Sequence, residues 1–212
     1  MGSYDTCFFE RYAHETLKCC LGHEFDDLIN RDRPDLQSPD GLTWGIEVTR
    51  AMEESKEAAE VLLDYMSGST PIPEEKGDIE QMLLSGYGYG LNVGKIVSPR
   101  EKLYWSMALP MKRILESKVS KITSGFYGHF AHNGLYVFCK DDIAEADVIG
   151  AMRLVMQLQE FHDHGYDFLY LSEVNALHVC NLQDGINDAF RVAEYEIPAG
   201  LRRHLYFASL EG

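Results

Sequence analysis

The sequence is poor in basic residues. It contains 19 Lys and Arg against 34 Asp and Glu, which gives a net charge of −15 at pH 7 in a chain of 212 residues. Because nucleic-acid binding depends on Lys and Arg contacts with phosphate, an acidic surface disfavours it. A nucleic-acid function therefore requires a local basic patch. One stretch meets this need, although it can equally be one solvated helix face: Lys95, Arg100, Lys102, Lys112, Arg113, Lys118 and Lys121.

Long apolar runs, a signal pattern and cysteine motifs are also missing. No window is long and apolar enough to span a bilayer, and the N-terminus lacks the basic-then-apolar order of a signal peptide. We therefore expect a cytoplasmic chain without membrane contact. The five cysteines show no CxxC spacing, so free thiols are expected and a zinc site is disfavoured: Cys7, Cys19, Cys20, Cys139 and Cys180.

What is present is the composition of an ordinary globular protein, with 45% apolar and 25% charged residues. A chain of this length can bury a sizeable core as one domain. We predict a single domain over residues 1–212, with an irregular insertion near 68–99 and a C-terminal strand extension over 173–212.

Helical and strand patterns alternate along the chain. Helices are predicted over 6–21, 51–67, 100–123 and 143–163, and Pro110 should kink or restart the third of them. Strands are predicted over 33–38, 42–49, 135–139, 168–171, 176–182 and 190–197. Helices that alternate with short apolar strands indicate an α/β sandwich built on one mixed sheet.

Residues 33–50, RPDLQSPDGLTWGIEVTR, carry the strongest indication of chemistry. Ser38-Pro39-Asp40-Gly41 has the residue types of a tight turn, so the flanking segments should form a hairpin. That hairpin folds Asp35 back beside Glu47, and paired carboxylates suit a divalent metal ion. The alternative is that Glu47 is a polar residue on the solvent side of a half-exposed strand.

Pro34-Asp35, the turn and Glu47-Val48-Thr49 resemble the PD-(D/E)XK nuclease-like superfamily. Glu10 on the leading helix also fits, and the resemblance covers roughly residues 6–172. It implies a restriction-endonuclease-like α/β/α sandwich with a central mixed sheet. It further implies Mg²⁺ or Mn²⁺ held by Asp35 and Glu47, with Glu10 as an additional ligand, and hydrolysis of DNA or RNA. Many relatives work as dimers, so a homodimer is one expected assembly.

The chain departs from this family at Thr49, where the lysine of the motif is expected. That lysine orients the attacking water and stabilises charge, and threonine cannot supply a cation. Lys118 lies on the apolar stripe of the predicted helix over 100–123 and could reach the paired carboxylates, with Lys121 as a weaker candidate. The alternative is that the stem of Lys118 covers apolar surface while its ammonium group stays in water.

Two other patterns predict structure rather than a site. The triplet His162-Asp163-His164 precedes Gly165, which is typical of a helix C-terminus. The glycines near Tyr87 and Tyr89 do not have the spacing of a P-loop, so they indicate a mobile loop.

Three hypotheses of function follow. The first is a metal-dependent nuclease that uses Asp35, Glu47 and Lys118. The second is a catalytically inactive nuclease-like fold that acts as a protein-interaction or regulatory module, favoured by Thr49 and by the net charge. The third is a small-molecule or protein-binding α/β domain in which Glu47 is a solvated strand residue.

Overall fold

The computed structural model describes residues 6–51, 110–139, 143–183 and 192–210. Within these residues the chain is mixed α/β, with four α-helices and one seven-stranded sheet. Several predictions lie outside the described residues: the helix over 51–67 apart from its first residue, the insertion near 68–99, the first part of the helix over 100–123, and the basic residues Lys95, Arg100 and Lys102.

In the described segments a 3₁₀ turn occurs at His23–Phe25, directly after the first helix. The helices are α1 Thr6–Leu21, α2 Pro110–Thr123, α3 Glu145–Gln159 and α4 Ala199–Leu210. The strands are β1 Ile29–Asn30, β2 Leu36–Gln37, β3 Trp44–Ala51, β4 His132–Cys139, β5 Phe168–Ser172, β6 Ala176–Asn181 and β7 Val192–Glu196.

The strands are arranged in the sheet in the same order as in the chain. Strand β2 is antiparallel to its neighbours β1 and β3, and β6 is antiparallel to its neighbours β5 and β7. The central pairs β3–β4 and β4–β5 are parallel. The mixed sheet predicted from the sequence is thus confirmed.

Helices cover both faces of the sheet. Along β4, Tyr136 and Phe138 face a core that includes residues of α1 and α4, whereas Leu135 and Val137 face a core that includes residues of α2 and α3. This alternation is the period of two expected of a strand that is buried on both sides. None of the helices in the described segments is long and apolar enough to cross a bilayer.

The tight turn between β2 and β3 forms where it is predicted. The N–H of Gly41 donates to the carbonyl of Ser38 at 2.9 Å, and Gly41 has a φ of 66°, in the left-handed region that favours glycine. Asp40 accepts hydrogen bonds from the backbone N–H groups of Leu42 and Thr43 at 2.9 and 3.0 Å. These bonds, with those from the Ser38 and Thr43 hydroxyls, hold the pKa of Asp40 well below its usual range.

Two predictions near the C-terminus are wrong in detail. The helix predicted to reach residue 163 ends at Gln159, because the Gln159 side chain bonds both the N–H and the carbonyl of Tyr166 at 2.9 Å. These two bonds turn the chain toward β5. The strand extension over 173–212 does contain β6 and β7, but it ends in the helix α4, which the sequence reading does not predict.

The described cysteines carry free thiols, as predicted. Cys139 and Cys180 are buried, Cys20 is half-buried and Cys19 is exposed. Burial raises the pKa of Cys180 to about 12, so this thiol is protonated and unreactive at neutral pH.

Candidate active site

The hairpin places Asp35 directly across from Glu47. Leu36 pairs with Ile46 and Gln37 pairs with Gly45, so the same register continued by one residue sets Asp35 opposite Glu47. Residues opposite each other on antiparallel strands share one face, with Cβ atoms about 4.5–5.5 Å apart. The two carboxylates therefore belong to one side of the sheet, as the sequence predicts.

Asp35 is fixed directly before the first residue of β2, where β3 continues without a paired strand on that side. Its Oδ2 atom accepts a hydrogen bond from the backbone N–H of Val48 at 2.7 Å. The carboxylate thus accepts a hydrogen bond that a backbone carbonyl would accept if β2 began earlier in the chain. The chain before Asp35 is tied down as well, since the N–H of Arg31 donates to the carbonyl of Asp35 at 2.8 Å.

Glu47 faces α2. Its neighbour Ile46 belongs to the core beneath α1, so the alternation of the strand directs Glu47 to the opposite face. There the ammonium Nζ of Lys118 lies 2.5 Å from Oε1 of Glu47. The two side chains are only 16% and 8% exposed, so this is a largely buried ion pair. The alternative for Lys118 required an ammonium group that extends into water. The structure shows instead that this group is bound to a carboxylate.

A shallow cleft of about 170 Å³ opens over this pair, between α1 and α2. Its volume equals that of a few water molecules, so it can hold a hydrated ion or one phosphate group. All four sequence-predicted site residues line it, together with other residues of α1 and β3: Phe9, Glu10, Asp35, Glu47, Val48, Thr49, Arg50 and Lys118.

The electrostatics of the cleft are dominated by its carboxylates. Burial raises the pKa of Asp35 to about 7, and the neighbouring charge of Glu47 adds to the increase. The hydrogen bond from Val48 and the charge of Lys118 lower it by less, and Glu10 raises it. The cleft brings the carboxylates of Glu10, Asp35 and Glu47 together with the cations of Lys118 and Arg50.

Two tyrosines that the sequence reading did not single out lie behind Glu47. Tyr127 is 4% exposed, and its buried hydroxyl has no hydrogen-bond partner within the described segments. Burial, followed by the charge of Glu47, raises the pKa of Tyr127 above its usual value. The hydroxyl of Tyr166 donates to the backbone carbonyl of Lys118 at 3.4 Å. No local sequence pattern indicates either tyrosine, because both lie in connections between helices and strands. Only the packing of distant elements brings them to the site.

Glu10 and Thr49 occupy the rim of the cleft. The Glu10 carboxylate accepts a hydrogen bond from the side-chain amide of Asn30. Within the part of the chain that the structure describes, no group of three or more His, Cys, Asp or Glu side chains is close enough to hold a metal ion. The part of Glu10 as an additional ligand therefore stays a prediction. Thr49 offers a hydroxyl where the family motif has an ammonium group.

The basic stretch is not one solvated helix face where the structure describes it. On α2, Lys112 lies 3.7 Å from Glu116, Lys118 binds Glu47, and the ammonium of Lys121 lies 5.5 Å from the ring centre of Phe126. The His162–His164 triplet does not form a metal cluster among these residues, and the ring of His164 packs against His129 with centroids 4.3 Å apart.

No protein-family profile, no curated protein and no solved structure matches the chain. The site consists of two carboxylates that lie opposite each other, on β3 and directly before β2, and of a lysine from α2 that is bound to the Glu47 carboxylate.

Proposed function

We propose that the chain is a divergent metal-dependent nuclease of the PD-(D/E)XK type, with a restriction-endonuclease-like fold. The observation that carries the proposal is the contact of 2.5 Å between Lys118 Nζ and Glu47 Oε1, with Asp35 opposite Glu47. This contact gives the paired acids a cation from α2 where Thr49 supplies none. In this function Asp35 and Glu47 are the metal ligands, and Lys118 does the work of the missing lysine.

The donor set fits Mg²⁺ or Mn²⁺. Both ions prefer oxygen ligands, and Mg²⁺ sites commonly use one or two carboxylates with waters and substrate phosphates. Each carboxylate has one oxygen engaged, namely Asp35 Oδ2 by Val48 and Glu47 Oε1 by Lys118. Burial and then the charge of Glu47 raise the pKa of Asp35, and a bound cation would favour its ionised form.

A bound divalent ion would lower the pKa of a coordinated water and neutralise charge on the phosphate. Lys118 holds one oxygen of Glu47 in place, and Glu47 lines the cleft. Its ammonium group lies where it can also orient the attacking water or stabilise the charge that develops on the phosphate. The backbone bond of Asp35 to Val48 fixes the second carboxylate, so both ligands are preorganised.

Cleavage assays test the proposal directly. Labelled DNA and RNA are incubated with the protein in Mg²⁺ and in Mn²⁺, beside Asp35→Ala, Glu47→Ala and Lys118→Met. We expect cleavage by the natural chain and its loss in all three variants. Cleavage that survives Asp35→Ala and Glu47→Ala would show that the activity belongs to another site or a contaminant.

The second candidate is a catalytically inactive module of similar architecture. It is favoured by the buried Lys118–Glu47 pair, which already compensates one acid, and by the absence of a third ligand among the described residues. Calorimetry with Mn²⁺ separates the two candidates. Heat of binding that Glu47→Gln removes supports the nuclease, whereas no binding together with no cleavage supports the inactive module.

A further inference from the structure

A second feature lies near the cleft: an exposed aromatic ring with two cations close to it. The ring of Phe126 is 45% exposed. The guanidinium of Arg33 lies 4.9 Å from its centre, and the ammonium of Lys121 lies 5.5 Å from it. We propose that these three residues, the Phe126 patch, form a subsite for single-stranded nucleic acid, in which a base stacks and the two cations bind the flanking phosphates.

The position of the patch connects it to the candidate active site. Arg33 comes two residues before Asp35, and Lys121 comes one helical turn after Lys118 on α2. Asp35 and Lys118, the near neighbours of the patch along the chain, both line the cleft, so a strand held at the patch lies next to the candidate metal ligands.

The patch is held firmly in shape. The N–H of Phe126 donates to the carbonyl of Lys121 at 3.1 Å, which closes the C-terminal turn of α2. The next residue, Tyr127, is buried and packs edge-on against Phe126 with centroids 5.3 Å apart. An exposed ring on an anchored backbone loses little freedom when a base stacks on it.

The charges of the patch are available to a ligand. Lys121 has no carboxylate partner in the described part of the chain. Arg33 contacts Asp32 at 3.4 Å, but both side chains are largely exposed, at 59% and 86%, so water screens this pair. In a chain of net charge −15, two such cations on one exposed ring are a local exception to the acidic surface.

The chemistry favours a single strand over a duplex. Every base has a face that can stack on an aromatic ring or a guanidinium group, but those faces are covered inside a duplex. A ligand with phosphate alone would use the cations and leave the ring without a role.

The inference rests on the proposed function for its choice of ligand, yet binding is measured without cleavage. A short fluorescent single-stranded oligonucleotide is titrated in EDTA and followed by anisotropy, with the duplex of the same sequence beside it. We expect the single strand to bind more tightly. Phe126→Leu should weaken its binding about tenfold, as is typical for the loss of one base–aromatic stack.

The cations give a second readout. Lys121→Gln and Arg33→Gln should each reduce the slope of log K against log salt by about 0.7, the value for one phosphate contact with a single strand. Phe126→Leu should leave that slope unchanged, because it removes no charge.

A matched control exists on α4, on the other face of the sheet. There Arg203 lies 5.7 Å from the ring centre of Phe207, which is 49% exposed. Arg203→Gln and Phe207→Leu repeat the same chemical changes away from the cleft and should leave binding unchanged. Equal losses in the α4 variants, equal binding of the duplex, or no binding by the natural chain would each overturn the inference. Binding lost in the patch variants without any cleavage in Mg²⁺ or Mn²⁺ would support the subsite and refute the nuclease.

Discussion

Lys118 and Glu47 are 71 positions apart in the sequence, and their side chains meet at 2.5 Å between Nζ and Oε1. The contact joins α2 to β3 across the edge of the buried core, where both side chains are largely shielded from water. In such a place each charge depends on the other, because neither is hydrated well enough to stand alone.

Removal of the lysine alone should therefore be costly. We expect Lys118→Met to lower the free energy of unfolding by about 3–5 kcal/mol, since it leaves Glu47 buried without a partner. Urea denaturation at neutral pH measures this difference. Combined with Glu47→Leu, the same change should restore most of the stability, because an apolar pair replaces the ion pair. A Lys118→Met variant as stable as the natural chain would contradict the buried pairing.

The lysine should be transferable to the position of the family motif. Thr49 follows Glu47 by two residues, so it shares the face of Glu47 on β3, and it lines the cleft. We expect Lys118→Met to lower the cleavage rate about 100-fold or more. When Thr49→Lys is added to the Lys118→Met variant, the cleavage rate should rise again about tenfold. The control is Leu42→Lys, which adds the same charge at a side chain that is 67% exposed; recovery there would point to a general effect of charge.

Asp35 should make the stability of the metal-free protein fall as the pH rises. An unfolded Asp ionises near pH 4, whereas burial and Glu47 raise the pKa of Asp35 to about 7. Between these values the folded state binds more protons than the unfolded state, so stability decreases toward pH 7. Glu10 adds to this shift and Lys118 opposes it.

We therefore expect Asp35→Asn to be more stable than the natural chain above pH 7, by at most about 4 kcal/mol, and equally stable near pH 4. Thermal denaturation in EDTA from pH 4 to pH 8 measures the difference. Asp40→Asn is the control: hydrogen bonds lower the pKa of Asp40, so its contribution is lost only below pH 4 and its difference should stay constant from pH 4 to pH 8. A difference for Asp35→Asn that does not change with pH would contradict the assignment.

Tyr127 should affect activity and stability in opposite directions. Its hydroxyl is buried and unpaired in the described segments, beside Glu47. Tyr127→Phe should leave stability unchanged or increase it by about 1 kcal/mol, because an unsatisfied polar group is removed. Because this buried hydroxyl lies beside the Glu47 carboxylate, the same change should lower the cleavage rate about tenfold. Tyr136→Phe removes the other buried, unpaired hydroxyl, on the opposite face, and should not change the rate.

Metal ions should stabilise the fold through Asp35 and Glu47. At a hundredfold excess over its dissociation constant, Mn²⁺ should add about 2.7 kcal/mol to the free energy of unfolding. EDTA should reverse the increase. Glu47→Gln should abolish it, whereas Glu196→Gln, which removes an exposed acid from β7, should keep it. A stabilisation that persists in Glu47→Gln would place the ion elsewhere.

The parts of the fold that depend on nearby residues could be predicted from the sequence. The turn at Ser38–Gly41 forms because proline, aspartate and glycine fix its dihedrals locally, and that turn is enough to set Asp35 beside Glu47. The helical period of α2 places Lys118 on the same side as the buried residues Leu115 and Ile122, and thus toward the sheet that carries the acids. By contrast, α4 was missed although Leu201, Leu205 and Ser209 recur every four residues, because its apolar face is defined only by the sheet and α1 against which it packs.

The rest of the site could not be derived in this way. Tyr127 lies in the connection after α2, where no periodicity indicates burial, and it reaches Glu47 only because α2 lies over β3. The Phe126 patch depends on the approach of Arg33 and Lys121, which are 88 positions apart by their numbers and have no pattern in common. Contacts of this kind are set by the packing of distant elements rather than by local propensity.

The parallel pairing of β3 with β4 extends over every residue from Trp44 to Ala51. This pairing sets where α2 lies over β3, independently of how many residues join Ala51 to Pro110. Homologous chains could thus gain or lose residues in that interval, and the number of the lysine would change while its distance from the acid would not. A signature with fixed intervals would fail to detect such homologues, whereas a comparison of facing positions in three dimensions would align them.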